Sequence, residues 1–261
     1  MKKVLCVYVL LIVGLAGCNH EDNPVKYETV KPTGLEMVLV EGGTFTMGSN
    51  EGNDDSKPAH DVTVTTFYIG KYEVTQKLWV EIMGTNPSDN NIGDSLPVVL
   101  VSWDKIQEFL RKLNEKTGLD YRLPTEAEWE FAARGGLNSK GYFYSGSNNL
   151  DEVAWIPENS GGYLGRRMHE VGTKKPNELG IYDMSGNVFE WCSDWYKADY
   201  YMYSTNNNPK GPENGDEKVQ RGGAFGTYYI ACGIVNRARA IPSSGSGQTG
   251  LRLARDFKMP L

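Results

Sequence analysis

The chain is poor in histidine, the side chain that most often serves as a general acid or base. It has only three histidines in 261 residues, and none of His20, His60 and His169 has a partner at a metal-ligand spacing such as H-x-x-x-H. No serine stands in a G-x-S-x-G elbow, and no glycine-rich stretch follows a strand and opens a helix as a phosphate-binding loop does. These absences argue against zinc enzymes, serine hydrolases and nucleotide-binding enzymes.

Positive charge is also scarce. Lysine and arginine total 27 against 33 aspartates and glutamates, which gives a formal net charge of -6. The sequence contains no basic run that could follow a phosphate backbone. Nucleic acid is therefore not expected as a partner.

A long hydrophobic run is missing except at the N-terminus. Lys2 and Lys3 precede an apolar stretch over residues 4–13, which is shorter than the roughly 18 residues expected of a membrane span. This pattern is typical of a signal peptide, the alternative being an uncleaved anchor. Elsewhere no segment is apolar enough to cross a bilayer.

The apolar stretch ends in Leu-Ala-Gly-Cys at Cys18, which resembles the lipobox that bacterial lipoprotein signal peptidase cleaves after the thiol is diacylated. We therefore expect residues 1–17 to be removed, Cys18 to anchor the chain in a membrane, and residues 18–34 to form a tether before a domain over 35–261. Since Asn19 rather than aspartate follows the cysteine, the expected location is the cell envelope, at the outer membrane.

Three helices are predicted from local signals. Residues 102–118 carry apolar side chains at helical spacing between Ser102 as N-cap and Gly118 as the terminating residue. A shorter helix is predicted over residues 75–83. In a third, Thr125 and Glu128 make a capping box and Gly135 ends the helix, with one buried side.

Strands are predicted over residues 37–40, 44–47, 62–72, 218–225 and 250–255. Residues 136–181 are rich in glycine, asparagine and serine without periodicity, so we expect a long, folded, irregular region there. A few helices with short, mostly antiparallel strands predict a single α+β domain.

Seven segments in order resemble the formylglycine-generating enzyme family, also called sulfatase-modifying factors. They are GGTFTMGS (42–49), YEVTQKLW (72–79), PVVLVSWDKIQEF (97–109), YRLPTEAEWEFAARGG (121–136), VGTKKPNELGIYDMSGNVFEWCSDWY (171–196), RGGAF (221–225) and GLRLA (250–254). The resemblance implies an irregular fold related to C-type lectins. It does not by itself imply catalysis, because this fold also serves in binding proteins.

In that family the enzyme oxidises a sulfatase cysteine with oxygen and a copper(I) ion held between two thiolates five residues apart. The resemblance places the second thiolate at Cys232 and the first at Thr227, whose hydroxyl is a hard, neutral donor unsuited to copper(I). The chain departs from the family pattern at three further positions. Ala224 stands where the family has serine, Phe189 where it has tryptophan and Tyr228 where it has histidine. Copper is therefore not expected, and Cys232 would be catalytic only if oxidation survives in some form.

The resemblance also implies a structural calcium site. Its ligands would be the side chains of Asp183 and Glu190 and the backbone carbonyls of Gly186 and Val188, all oxygen donors that suit calcium. The alternative is that Gly186 and Asn187 only make a turn while Glu190 pairs with an arginine such as Arg221.

Two thiols, Cys192 and Cys232, would remain after processing in an oxidising compartment. Because the resemblance places them near one pocket, we expect a disulfide between them. The alternative is a reactive Cys232 whose pKa is lowered by Arg237 or Arg239, although those arginines could equally pair with carboxylates.

Two functions from different classes follow from these observations. The first is a lipid-anchored, non-catalytic module that binds a protein or glycan through its aromatic and glycine-rich loops. The second is a formylglycine-generating oxidoreductase acting on a sulfatase cysteine. Thr227 favours the first.

Overall fold

A computed structural model describes residues 10–11, 26–30, 33–89 and 92–258. Cys18 and most of the expected signal peptide and tether lie outside these residues. The strands of the described part are β1 Leu10–Leu11, β2 Tyr27–Val30, β3 Leu35–Val40, β4 Gly43–Met47, β5 His60–Val64, β6 Phe67–Gly70, β7 Tyr121–Arg122, β8 Phe189–Trp195, β9 Lys218–Arg221, β10 Ala238–Ala240, β11 Thr249–Leu251 and β12 Ala254–Asp256.

The strands form three sheets. The largest has the order β1-β2-β3-β6-β12-β7 and is antiparallel throughout. The second has the order β10-β9-β8-β11, in which only β8 and β11 run parallel. A third sheet consists of the antiparallel pair β4 and β5. Short, mostly antiparallel strands are thus confirmed.

The helices of the described part are α1 Gln76–Met83, α2 Trp103–Thr117, α3 Glu126–Ala133, α4 Leu150–Val153 and α5 Gly162–Gly165. The first three begin and end where the sequence predicts. Ser102 accepts a hydrogen bond from the Lys105 backbone and Gly118 ends α2 with a φ of 70°. Thr125 and Glu128 form the predicted capping box.

Helix α3 differs from its prediction in burial. All eight of its residues are buried, including Glu126, Glu128 and Glu130. The helix lies among β4, β5, β8 and β9. Its carboxylates pair with arginines rather than facing solvent: Glu130 with Arg221 of β9, and Glu126 with Arg237 just before β10. The prediction of a helix with only one buried side is therefore wrong, because neighbouring elements cover α3 on all sides.

Three predicted strands are shorter or divided. Residues 62–72 split into β5 and β6 at Thr65, whose backbone N–H donates to Asn208, so the two halves belong to different sheets. Strand β9 stops at Arg221 because Gly222 and Gly223 adopt φ values of 96° and 75°. The 250–255 segment divides into β11 and β12.

The region over residues 136–181 is irregular, as predicted, with turns and only short helices. Two large clusters of buried hydrophobic residues lie on either side of the second sheet. One surrounds α3 and contains Cys192, and the other joins α1 and α2 to Trp191 and Leu251. Among the described residues, no helix has the length and apolar character that a membrane span needs.

Candidate functional site

The structure brings Thr227 and Cys232 to one place just beyond β9. Cys232 ends a 3-10 turn over Tyr229–Cys232 and is fully buried. A Cβ atom at Gly223 would lie 2.7 Å from the Cys232 Sγ atom, so only glycine lets the chain pass this close to the thiol. The Thr227 side chain lies close enough to the same thiol to oppose the rise of its pKa.

The chemical state of this pair does not suit a soft metal. Burial raises the pKa of the Cys232 thiol to about 12, against smaller opposing effects from Thr227 and from the backbone of Ala224 and Gly186. The thiol is therefore protonated near neutral pH. The Thr227 hydroxyl accepts from the Ala224 N–H at 2.9 Å and donates to the Ala224 carbonyl at 3.0 Å. The Thr227 hydroxyl therefore already forms hydrogen bonds with the backbone of its own loop.

The other family departures lie around this pair. Ala224 is buried and provides both backbone partners of Thr227. Phe189 and Thr227 line a common cavity, whereas Tyr228 is 83% exposed. The structure thus assembles the positions that the sequence comparison singled out, without a second thiol.

The predicted disulfide between Cys192 and Cys232 is wrong for this structure, in which both thiols are free. Cys192 belongs to the hydrophobic cluster that surrounds α3, whereas Cys232 belongs to a separate cluster with Tyr144 and Ile156. Burial raises the pKa of the Cys192 thiol well above its ordinary value, and Asp194 and Glu126 raise it further. Each thiol is a buried apolar side chain.

The arginines that could have activated Cys232 are used elsewhere. Arg237 binds Glu126 through two hydrogen bonds of 2.7 and 3.0 Å, and Arg239 pairs with Glu217 at 2.8 Å. Arg237 and Arg239 therefore pair with carboxylates, which confirms the alternative explanation of these two arginines. Neither guanidinium stabilises a Cys232 thiolate.

The predicted calcium segment forms a left-handed turn. Asp183, Gly186 and Asn187 have φ values of 59°, 78° and 57°. A Cβ atom at Gly186 would lie 2.5 Å from the Trp155 carbonyl oxygen, so glycine is required there. The Asp183 carboxylate accepts from the Gly172 N–H at 2.7 Å.

Glu190 pairs with Arg252 rather than with Arg221. Arg252 donates to the Glu190 carboxylate at 2.7 and 3.0 Å, and the Trp129 indole N–H donates to it at 2.7 Å. Arg221 instead binds Glu130 and the Asn236 carbonyl. Glu190 therefore does pair with an arginine, as the alternative interpretation expected. That arginine is Arg252, which lies in the loop between β11 and β12.

Glu73 is a member of this cluster that the sequence did not indicate. It accepts from the Asn187 side chain at 2.6 Å and from the Val188 N–H at 3.2 Å. Burial raises its pKa well above the ordinary value, and the charges of Asp183 and Glu190 raise it further. We call Glu73, Asp183, Glu190 and Arg252 the buried carboxylate cluster.

Some residues of the buried carboxylate cluster and of the adjacent turn could serve as calcium ligands, and others could not. Three carboxylates face one guanidinium, and burial raises the pKa of Asp183 to about 6, which shows how poorly its charge is compensated. Asp183 and the carbonyls of Gly186 and Val188 would be available to hold calcium. Glu190 fits less well because Arg252 and Trp129 already occupy its oxygens, and no three His, Cys, Asp or Glu side chains converge as a ready metal group among the described residues.

Another buried carboxylate predicts a measurable pH dependence. Burial raises the pKa of Asp194 from 3.8 to about 7, and the charge of Glu126 raises it further. The folded chain therefore binds this proton more tightly than the unfolded chain, so its contribution to stability is complete below about pH 4 and is lost as pH rises through about 7.

Asp194→Asn should flatten the fall in stability across this range, measured by urea unfolding. Asp89→Asn, which removes the same charge from an exposed position, is the control; an unchanged slope in Asp194→Asn would contradict the assignment.

A family model described as the sulfatase-modifying factor enzyme 1-like domain matches residues 23–257. The chain is 34% identical to a Paenibacillus barcinonensis protein called chaperone protein LppX, over 97% of this chain and 99% of that protein. It is 33% identical to a formylglycine-generating enzyme of Streptomyces coelicolor, over 84% of this chain and 89% of that enzyme.

A solved structure extends the likeness to three dimensions. Treponema denticola variable protein 1 superposes with a TM-score of 0.78 at 29% identity, covering 91% of this chain and 98% of that one. The predicted α+β fold of the C-type-lectin-like kind is confirmed by this match and by the arrangement of strands and helices described above.

Proposed function

The chain belongs to the sulfatase-modifying factor family, and on that premise we propose that it is a non-catalytic binding module anchored to the cell envelope. The observation that carries the proposal is the pairing of Thr227 with a buried, protonated Cys232. Copper(I) needs soft thiolate ligands, and this site offers one thiol of raised pKa and one hydroxyl already bound to the backbone.

The test of this proposal is copper(I) binding under anaerobic conditions. The purified chain, titrated with Cu(I) in competition with a chromophoric chelator, should retain no stoichiometric copper. Retention of one equivalent by the wild-type chain, lost in Cys232→Ser, would contradict the proposal. It would favour the second candidate function, a formylglycine-generating oxidoreductase, which the similarity to enzymes of that name and the retained Cys232 support.

A binding role is supported by the surface next to the Thr227 loop. Tyr228, Tyr229 and Ile230 are at least half exposed on consecutive positions, and Phe143 lies half exposed beside Gly233. Exposed aromatic groups of this size supply contact area for a partner. The name of the relative LppX, a chaperone protein, supports a protein partner, and a glycan partner remains the other class.

Anchoring through Cys18 is the second part of the proposal. The motivation is the apolar stretch followed by Leu-Ala-Gly-Cys, and the measurement is partition of the expressed chain between detergent and aqueous phases. The wild-type chain should partition into detergent and carry two or more acyl chains, because one chain gives only marginal membrane binding. A processed, membrane-bound Cys18→Ala variant would contradict the lipobox interpretation.

Calcium binding is the third part of the proposal. An ion that binds only the folded chain adds RT ln(1 + [L]/Kd), about 2.7 kcal/mol at a hundredfold excess over Kd. The melting temperature of calcium-loaded protein should therefore fall when a chelator is added. Asp183→Asn should abolish this response, whereas Asp194→Asn, in a separate part of the core, should keep it. A melting temperature unaffected by chelator in protein shown to be loaded would contradict the proposal.

A further inference from the structure

The folded part of the chain begins close to the expected lipid anchor. Within the predicted tether, residues 18–34, the segment Tyr27–Val30 forms β2 and pairs with β3 in the largest sheet. Tyr27 follows Cys18 by nine positions. A polypeptide extends by at most about 3.6 Å per residue, so Tyr27 would lie within about 32 Å of an acylated Cys18.

Tyr27 belongs to a surface of aromatic and lysine side chains. The Lys71 ammonium lies 5.2 Å from the ring centre of Tyr27 and 5.2 Å from that of Tyr72. A Cβ atom at Gly172 would lie 2.5 Å from the Tyr72 ring, so the backbone at Gly172 packs directly on that ring. The segment that follows Gly172 therefore continues this surface.

Trp155 extends the surface from that segment. Its indole N–H donates to the Thr173 hydroxyl at 2.9 Å, and the Lys174 ammonium lies 4.1 Å from its ring centre. The aromatic–lysine surface is defined by Tyr27, Lys71, Tyr72, Trp155 and Lys174. Tyrosine, tryptophan and lysine together are typical of the water–bilayer interface, where the rings lie at the level of the lipid headgroups.

A loop with an exposed leucine adjoins the same surface. Residues 161–167 lead to His169, whose ring stacks on Trp155 at 3.6 Å. Leu164 in this loop is 98% exposed, more than any other large hydrophobic side chain of the described residues. Arg166 and Arg167 follow it and are also exposed. An apolar tip next to arginines suits a bilayer surface, where leucine enters the acyl region and guanidinium groups meet phosphates.

The local charge is positive although the whole chain is acidic. Burial lowers the pKa of His169, and the charges of Arg167 and Lys174 lower it further, which shows that both cations lie near the stacked ring. Lys174 donates to the Asp151 backbone carbonyl at 2.6 Å rather than to a carboxylate. Lys71, in contrast, pairs with Glu36. Attraction to anionic headgroups therefore rests on the loop and on Lys174.

We propose that the aromatic–lysine surface and the loop over residues 161–167 lie on the phospholipid bilayer in which Cys18 is anchored, with Leu164 inserted among the acyl chains. The short chain between Cys18 and Tyr27 favours a bilayer over a protein partner, because it keeps the membrane permanently within reach of this surface. The inference rests on the anchoring part of the proposed function.

The experiment measures the environment of position 164 in the lipidated full chain. Leu164→Cys carries a maleimide fluorophore; Cys192 and Cys232 are fully buried and do not compete for it. The chain is reconstituted into vesicles of phosphatidylethanolamine and phosphatidylglycerol. A spin-labelled lipid should quench the fluorophore, and aqueous acrylamide should not. Met202→Cys, which replaces a side chain that is 73% exposed and outside this surface, is the matched control and should show the opposite pattern.

A second variant tests the role of charge. Arg167→Gln in the labelled chain should lower the ratio of lipid-immersed to water-exposed fluorophore about fivefold, since one cation near an anionic surface is lost. Arg111→Gln, the loss of an exposed arginine on α2, should leave the ratio unchanged. Replacing phosphatidylglycerol with phosphatidylcholine should lower the ratio in the parent chain.

The inference is overturned if acrylamide quenches the fluorophore at position 164 as strongly as at position 202. It is also overturned if shielding at position 164 rises with protein density but is insensitive to the spin-labelled lipid, which would indicate contact with a second copy of the chain. These results leave anchoring intact, because the chain is still bound to the vesicles. A wild-type chain that does not associate with vesicles at all would overturn both anchoring and this inference.

Discussion

Replacing Arg252 with methionine should lower the free energy of unfolding by about 3–5 kcal/mol, the largest loss expected of any substitution considered for this chain. Arg252 is fully buried and is the cation of the buried carboxylate cluster. It also donates to the carbonyls of Gly70 and Tyr182 at 2.9 and 2.7 Å. Methionine fills similar space but leaves three carboxylates without a positive charge.

Two further variants separate charge from packing in this prediction. Adding Glu190→Gln to Arg252→Met should recover part of the lost stability, because the amide oxygen can still accept from Trp129 while one buried charge is gone. Arg111→Met breaks an exposed pair with Glu115 and should cost less than about 1 kcal/mol. The measurement is urea unfolding at neutral pH. A double variant no more stable than Arg252→Met would contradict the role assigned to charge.

Replacing Thr227 with cysteine should convert the site from one that retains no copper into one that holds one copper(I) ion per chain. The new thiol would lie beside Cys232 at the spacing of the family's thiolate pair. Metal binding can drive the loss of the Cys232 proton despite its raised pKa, because ligand deprotonation is coupled to metal affinity. The readout is the same chelator competition used for the wild-type chain.

Serine provides the matched control for this gain. Thr227→Ser keeps a hydroxyl and should retain no copper, and Thr227→Cys combined with Cys232→Ser should lose the copper that the single variant gains. Equal copper retention by the serine and cysteine variants would show that the missing thiol is not what separates this chain from the copper enzymes.

The parts of the fold that could be predicted are those specified by neighbours in sequence. The cap of Ser102, the left-handed Gly118 and the capping box of Thr125 act within one helical turn, and all are present. Burial of the whole of α3 could not be predicted, because Glu130 and Glu126 are neutralised by Arg221 and Arg237, about a hundred residues away in the chain.

The same limit applies to the candidate site. The resemblance identified Thr227, Cys232, Asp183 and Glu190, and the structure brings the first two together. It could not indicate Glu73, since nothing near that residue in sequence suggests its contact with the turn at Asn187. The disulfide was mispredicted for a related reason: proximity to one pocket does not fix which hydrophobic cluster each thiol enters.

A conversion assay measures directly whether this chain oxidises a sulfatase cysteine. The wild-type chain is incubated with copper(I), oxygen and a peptide that carries the sulfatase motif C-x-P-x-R, with an active formylglycine-generating enzyme as positive control, and the peptide is analysed by mass spectrometry. We expect this chain to leave the peptide cysteine unconverted while the control enzyme forms the aldehyde. Formation of formylglycine by the wild-type chain would contradict it.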